Sequence, residues 1–150
     1  MTVYLRNTTR RHHLNLRGIS RATRTLLAAT GRPQASLSLS FVGDAAIRRL
    51  NREYRGKDRS TDVLSFSAGK NPQELLGDIV ISLDAAERQA AAYAASLDAE
   101  VRRLLIHGLA HLLGHDHQRP AEAARMRAEE RRLAGSIGLK WPYEPGAAGG

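Results

Sequence analysis

The alternation of apolar and polar positions divides the chain into about four strands and about five helices. Val3-Tyr4-Leu5 reads as an opening strand, and Leu14, Leu16, Ile19, Leu26 and Leu27 lie in a helical segment stopped near Gly31-Arg32-Pro33. Ser36 to Val42 alternates strictly, as a half-buried strand does. Asp44 is placed to cap the next helix, in which Ile47, Leu50 and Tyr54 recur at helical spacing. Val63-Leu64-Ser65-Phe66 and Ile79-Val80-Ile81 read as two further strands around a loop containing Asn71-Pro72. Ser82 or Asp84 starts an Ala-rich helix through Ala95, and Asp98 starts another to about Leu113. The last helix runs from Pro120, in a first turn where a missing N–H costs nothing, to about Leu133.

No repeat or linker interrupts this order, so residues 1–150 are expected to form one domain with a disordered tail from Pro145. Strands and helices mixed in this way predict an α+β or α/β fold. No apolar run approaches the roughly 18–20 residues of a membrane span. The chain has no cysteine, which excludes disulfide-linked partners and thiolate metal sites, so any metal must be held by His, Asp or Glu.

Charge changes the picture further. Lys and Arg total 23 against 15 acids, and residues 1–43 carry seven arginines with no acid. Residues 48–70 add seven cations against Glu53, Asp58 and Asp62. Such asymmetry predicts a cationic face and a polyanionic partner, nucleic acid ahead of a membrane. An Arg-rich, acid-free start also has the composition of an organellar transit peptide, but its opening strand and helix read as parts of the domain. No apolar secretory segment follows the first charges, and a cytoplasmic location is expected. His12 and His13 have no ligand spacing with anything nearby and read as surface residues.

The chemistry concentrates in the segment Leu104 to Leu113, apolar almost all round except for His107 and His111. Histidines four apart on one helix face can both reach one zinc ion, at about 2.0–2.1 Å. Gly114 stands where helices end in the left-handed conformation, and the turn lets His117 fold back as a third ligand. Three protein ligands leave zinc an open position, the arrangement of a catalytic site, with one ion per chain. The spacing is also that of metzincin proteases, which carry a glutamate general base directly after the first histidine. Here that position is Gly108, which cannot accept a proton.

His107-Gly108-Leu109-Ala110-His111-Leu112-Leu113-Gly114-His115-Asp116-His117 resembles the HGxLHLxGYDH signature of the YbeY family of endoribonucleases. Leu50 to Phe66 is similar to that family's LNxxYRxKDKPTDVLSF segment, and Leu76 to Ile81 to its LGDIVI strand. The matches fall in the family's order over about the middle half of the chain. Ala110, His115 and Ser60 depart from the usual Leu, Tyr and Pro; His115 reads as a loop residue.

The resemblance implies a single zincin-like α+β domain with its metal site at the C-terminal end of a buried helix. It implies a zinc-dependent endoribonuclease selective for single strands, acting on ribosomal RNA or the small ribosomal subunit in 16S 3′-end maturation and ribosome quality control. It carries the ligand role onto His107, His111 and His117, and it marks Arg55 as a functional residue of an RNA-facing cleft. A guanidinium there can stabilise charge growing on phosphoryl oxygens. Lys57 and Arg59 read as phosphate contacts, Asp58 and Asp62 as loop holders, and Asp78 as structural. Asp116 fits two roles, orienting an imidazole or capping the next turn. Two other functions are open to such a sequence: a zinc peptidase without its glutamate, and an RNA-binding assembly factor with a structural zinc.

Overall fold

A computed structural model describes residues 2–69 and 75–140, so the Asn71-Pro72 loop and the tail lie outside the described residues. The chain forms strand β1 (Val3–Asn7), helix α1 (Leu16–Ala29), β2 (Ser36–Val42), α2 (Asp44–Arg55), β3 (Val63–Ser67) and β4 (Leu75–Ser82). Helices α3 (Leu83–Ala92), α4 (Leu97–Leu112) and α5 (Pro120–Ser136) follow. Among the described residues, four strands and five helices make an α+β fold, one of the two classes that the pattern allowed and with the element numbers it predicted.

The sheet order is β1-β2-β4-β3, with β1, β2 and β4 parallel and β3 antiparallel on the edge. Strand alternation sorts the two faces. Leu37, Leu39 and Phe41 of β2 and Ile79 and Ile81 of β4 point to one face, where they bury with Val101, Leu104, Leu105 and Leu109 of α4. Val42, Leu64 and Val80 point to the other, under Ile47 of α2. Helix α4 is wrapped by β3, β4, α1, α3 and α5, which explains why it is apolar nearly all round.

Four boundaries differ from the sequence expectation. Leu14 lies outside α1, whose N-cap is Asn15. Gly43, not Asp44, is the N-cap of α2, and Asp44 sits in the first turn, where it accepts from Arg88 and from Ser82 Oγ. Ser96 caps α4 through the Ala99 N–H, so that helix begins before Asp98. Helix α3 stops at Ala92, short of Ala95, and Ala94 takes a positive φ of 54°.

His12 is the one histidine whose surface reading fails. It is 6% exposed, with Nε2 3.2 Å from Asp84 Oδ1 and Nδ1 3.1 Å from Glu87 Oε2. The segment between β1 and α1 lies over the start of α3, whose two carboxylates receive both ring nitrogens. His13 is exposed, as expected.

Candidate metal centre and cationic cleft

The site is built where α2, the edge strand β3 and the end of α4 meet. Helix α2 ends at Gly56, whose φ of 68° is the left-handed conformation that glycine adopts at least cost. The reversal bonds Lys57 N–H to the Asn51 carbonyl at 3.2 Å and sends Lys57, Asp58 and Arg59 back along the helix. Asn51, 3% exposed, ties the far side of this turn by donating Nδ2 to the Arg59 carbonyl at 2.9 Å. Asp58 accepts from Arg48 Nε at 2.9 Å, and the Arg48 guanidinium holds its carboxyl below the usual carboxylate range. Asp62 accepts from Gln89 Nε2 at 3.1 Å. Both aspartates hold the loop, the role expected for them.

Helix α4 docks against β3 and β4 at Gly108. A Cβ there would stand 2.9 Å from Ile79 Cγ2 and 3.0 Å from Ser65 Oγ, so both neighbours would have to give way. Ser65 Oγ instead donates to the Gly108 carbonyl at 2.9 Å. The glycine at the position of the metzincin glutamate is therefore also a point of close helix–sheet approach.

This docking presents His107 and His111 to a cleft of about 650 Å³ that is also lined by His117, Arg55, Lys57, Arg59 and Asp62. Gly114, with φ 95°, reverses the chain after α4, and His115 N–H bonds the Ala110 carbonyl at 3.0 Å. The turn brings the His117 ring to 5.3 Å from His111 and 6.0 Å from His107, centroid to centroid, against 4.7 Å between those two. Asp116 Oδ1 accepts the His117 backbone N–H at 2.7 Å and lies 3.6 Å from His117 Nδ1. His115 is not among the cleft-lining residues.

The donor set suits zinc. Nε2 of His107 and Nε2 of His111 are 3.2 Å apart. Two nitrogens at tetrahedral positions on zinc stand roughly 3.3–3.4 Å apart, given bonds of about 2.0–2.1 Å. Burial, helped by the nearby His107 and His117 rings, pushes the His111 pKa down, which keeps its lone pair available to a metal. Among the described residues no trio of ligand groups is already drawn to metal-holding geometry, and the His117 side chain is 62% exposed.

Glu130, on α5, escaped the sequence reading. Only 6% exposed, it places Oε2 3.5 Å from His107 Nδ1, the ring nitrogen opposite the one that faces His111. Its signal was a carboxylate inside the apolar stripe Met126, Leu133 and Ala134. Arg55 lies on the cleft wall: its Nη2 donates to the Ser65 carbonyl on the free edge of β3, and its guanidinium carbon is 5.2 Å from the Phe66 ring centroid. Among the described residues Nε and Nη1 of Arg55 make no hydrogen bond. Asp78 is exposed on β4, opposite Ser38 and Phe66.

The family description Endoribonuclease YbeY matches residues 4–138. A protein of that name from Anaeromyxobacter sp. (strain Fw109-5) is 49% identical over 93% of this chain and 73% of its own. Another, from Geobacter sulfurreducens, is 41% identical over 89% of this chain and 93% of its own. A third, from Myxococcus xanthus, is 57% identical over 69% of this chain, a match spanning 37% of that relative's length. The solution structure of TM1509 from Thermotoga maritima has the same fold, with a TM-score of 0.58 at 19% identity over 95% of this chain and 99% of that one. Match length and identity together place this chain in the Endoribonuclease YbeY family.

Proposed function

We propose that this chain is a zinc-dependent endoribonuclease that cuts single-stranded RNA during ribosomal RNA processing, including 16S 3′-end maturation, in the cytoplasm. The observation that carries the reading is the convergence of three imidazoles on one cleft with Arg55, Lys57 and Arg59. The names of the relatives support RNA as the substrate. His107, His111 and His117 would hold the ion, which when bound supplies Lewis-acid polarisation of a phosphoryl oxygen.

The chain's own groups divide the remaining work. Lys57 and Arg59, held across the cleft by Asn51, bind phosphates flanking the scissile one. Arg55 is steadied on one side by Ser65 and Phe66 and turns Nε and Nη1 to the charge that grows on the phosphoryl oxygens. A peptidase reading is disfavoured because residue 108 offers no carboxylate beside His107 and faces Ile79 and Ser65 closely.

The test is cleavage of single-stranded RNA, duplex RNA and casein by zinc-loaded protein, with and without chelator. Single strands should be cut, chelation should stop the cutting, and added zinc should restore it. Arg55→Ala should keep its zinc and lose about 100- to 1000-fold in single-turnover rate. Chelator-resistant cleavage would remove zinc from the reading, and casein cleavage with intact RNA would replace it.

A further inference from the structure

The stripe by which α2 packs on the sheet runs Ala46, Ile47, Leu50 and ends at Tyr54. Its early members bury, but Tyr54 passes beyond the sheet and stays 66% exposed, the most exposed large apolar side chain among the described residues. It is not loose. Its ring meets Phe66 edge-on, with centroids 5.6 Å apart and planes at 65°. Phe66 in turn carries the Arg55 guanidinium at 5.2 Å. Tyr54, Phe66 and Arg55 thus form a braced row from open solvent to the cleft wall. Arg52 and Arg55 flank that row in the last turn of α2, and Lys57 and Arg59 line the same cleft as Arg55, while Glu53 and Asp78, the latter in register with Phe66, are the carboxylates beside it.

An aromatic face held by Phe66, left wet and flanked by cations favours an occupant with both a flat apolar face and regularly spaced negative charge. A neutral aliphatic partner gains nothing from the cations, and a peptide of acidic side chains alone gains little from the ring. A nucleobase on a phosphodiester strand uses both, through its flat face and its backbone. Resting on the RNA reading above, we propose that Tyr54, braced by Phe66, is a stacking platform for an unpaired base next to the phosphate held by Arg55. A duplex cannot offer that base without breaking a pair, so the platform helps select single strands.

The test is equilibrium binding of the zinc-loaded full chain to two labelled strands of equal length. One is a 2′-O-methyl oligoribonucleotide that cannot attack itself, and the other is the same backbone without bases. Tyr54→Ala should weaken binding of the base-bearing strand by about 5- to 100-fold and leave the baseless strand unchanged. Tyr54→Phe should restore affinity, because it keeps the ring. Tyr54→Leu keeps apolar packing on Phe66 without a π-face, and should match Tyr54→Ala. The slope of log affinity against log salt should be the same for wild type and Tyr54→Ala, since no phosphate contact is lost. Equal loss on both strands, a full rescue by leucine, or wild-type affinity in Tyr54→Ala would overturn the platform. Failure of the wild-type chain to bind the base-bearing strand would instead overturn the RNA reading on which the platform rests.

Discussion

Gly108 illustrates how one atom can fix a chemistry. In an exposed helix interior, Gly→Ala gains about 1 kcal/mol from helix propensity. Here the added methyl would press on Ile79, itself fully buried, and on Ser65 Oγ, which bonds the helix at that residue. Overpacking of this kind costs about 1–3 kcal/mol, so the packing term wins and Gly108→Ala should be less stable than wild type. Urea unfolding followed by circular dichroism would show it as a lower midpoint; an unchanged or higher midpoint would mean that α4 can lift off β4 freely. The sequence already showed that residue 108 cannot be a general base. That it also marks a close helix–sheet approach could not be read there, because Ile79 and Ser65 reach it only through the sheet.

At the scale of elements, spacing along one helix was legible and contact between helices was not. His107 and His111 were found because a period of 3.6 residues puts them on one face, and His117 because a glycine stop turns the chain back. Glu130 comes from another helix, and nothing in the spacing of α5 says which residue it faces. Its place beside His107 Nδ1 is the arrangement in which a carboxylate fixes the orientation of a metal-binding imidazole. Glu130→Ala should therefore lower zinc affinity by about 10- to 100-fold, measured by competition with a chromophoric chelator. Glu130→Gln, which keeps an acceptor oxygen, should recover most of that loss, and identical weakening in both variants would assign Glu130 to packing alone. The cap positions were missed for a related reason. Gly43 and Ser96 stand next to the acidic residues Asp44 and Asp98 or near them, and sequence preference alone does not decide which residue leaves the helix.

Across the whole molecule, the charge asymmetry divides into two places. The cleft cations belong to the β3 edge, whereas α1, with Arg17, Arg21 and Arg24 exposed, packs on β1, α4 and α5 toward the other edge. The single cationic face expected from composition is thus two basic regions, separated by the width of the sheet. A third charged cluster joins the chain's start to its middle. Asp84 accepts the Asp44 backbone N–H, which holds its carboxyl below the usual range with further help from His12 and Arg11. Asp44 is held low chiefly by Arg88. Between these lowered values and the ordinary carboxylate value of about 4, the unfolded chain binds more protons than the folded one. This contribution is therefore complete above that range and lost as pH falls through the lowered values. Unfolding midpoints measured from pH 7 to pH 3 should drop on the acid side, and Asp84→Asn should flatten part of that drop. A variant with the full wild-type acid profile would show that the cluster is not the source.

The bond from Ser65 to Gly108 joins residues 43 positions apart, and it sets an order in time. A chain growing from its N-terminus completes α2, the Lys57–Arg59 turn and the Ser65 strand well before the helix that carries His107 and His111. Glu130 emerges later still. Synthesis delivers the cations first, then the imidazoles, then the carboxylate that steers one of them. Because α4 packs against elements from both halves of the chain, the cleft itself closes only when that helix docks.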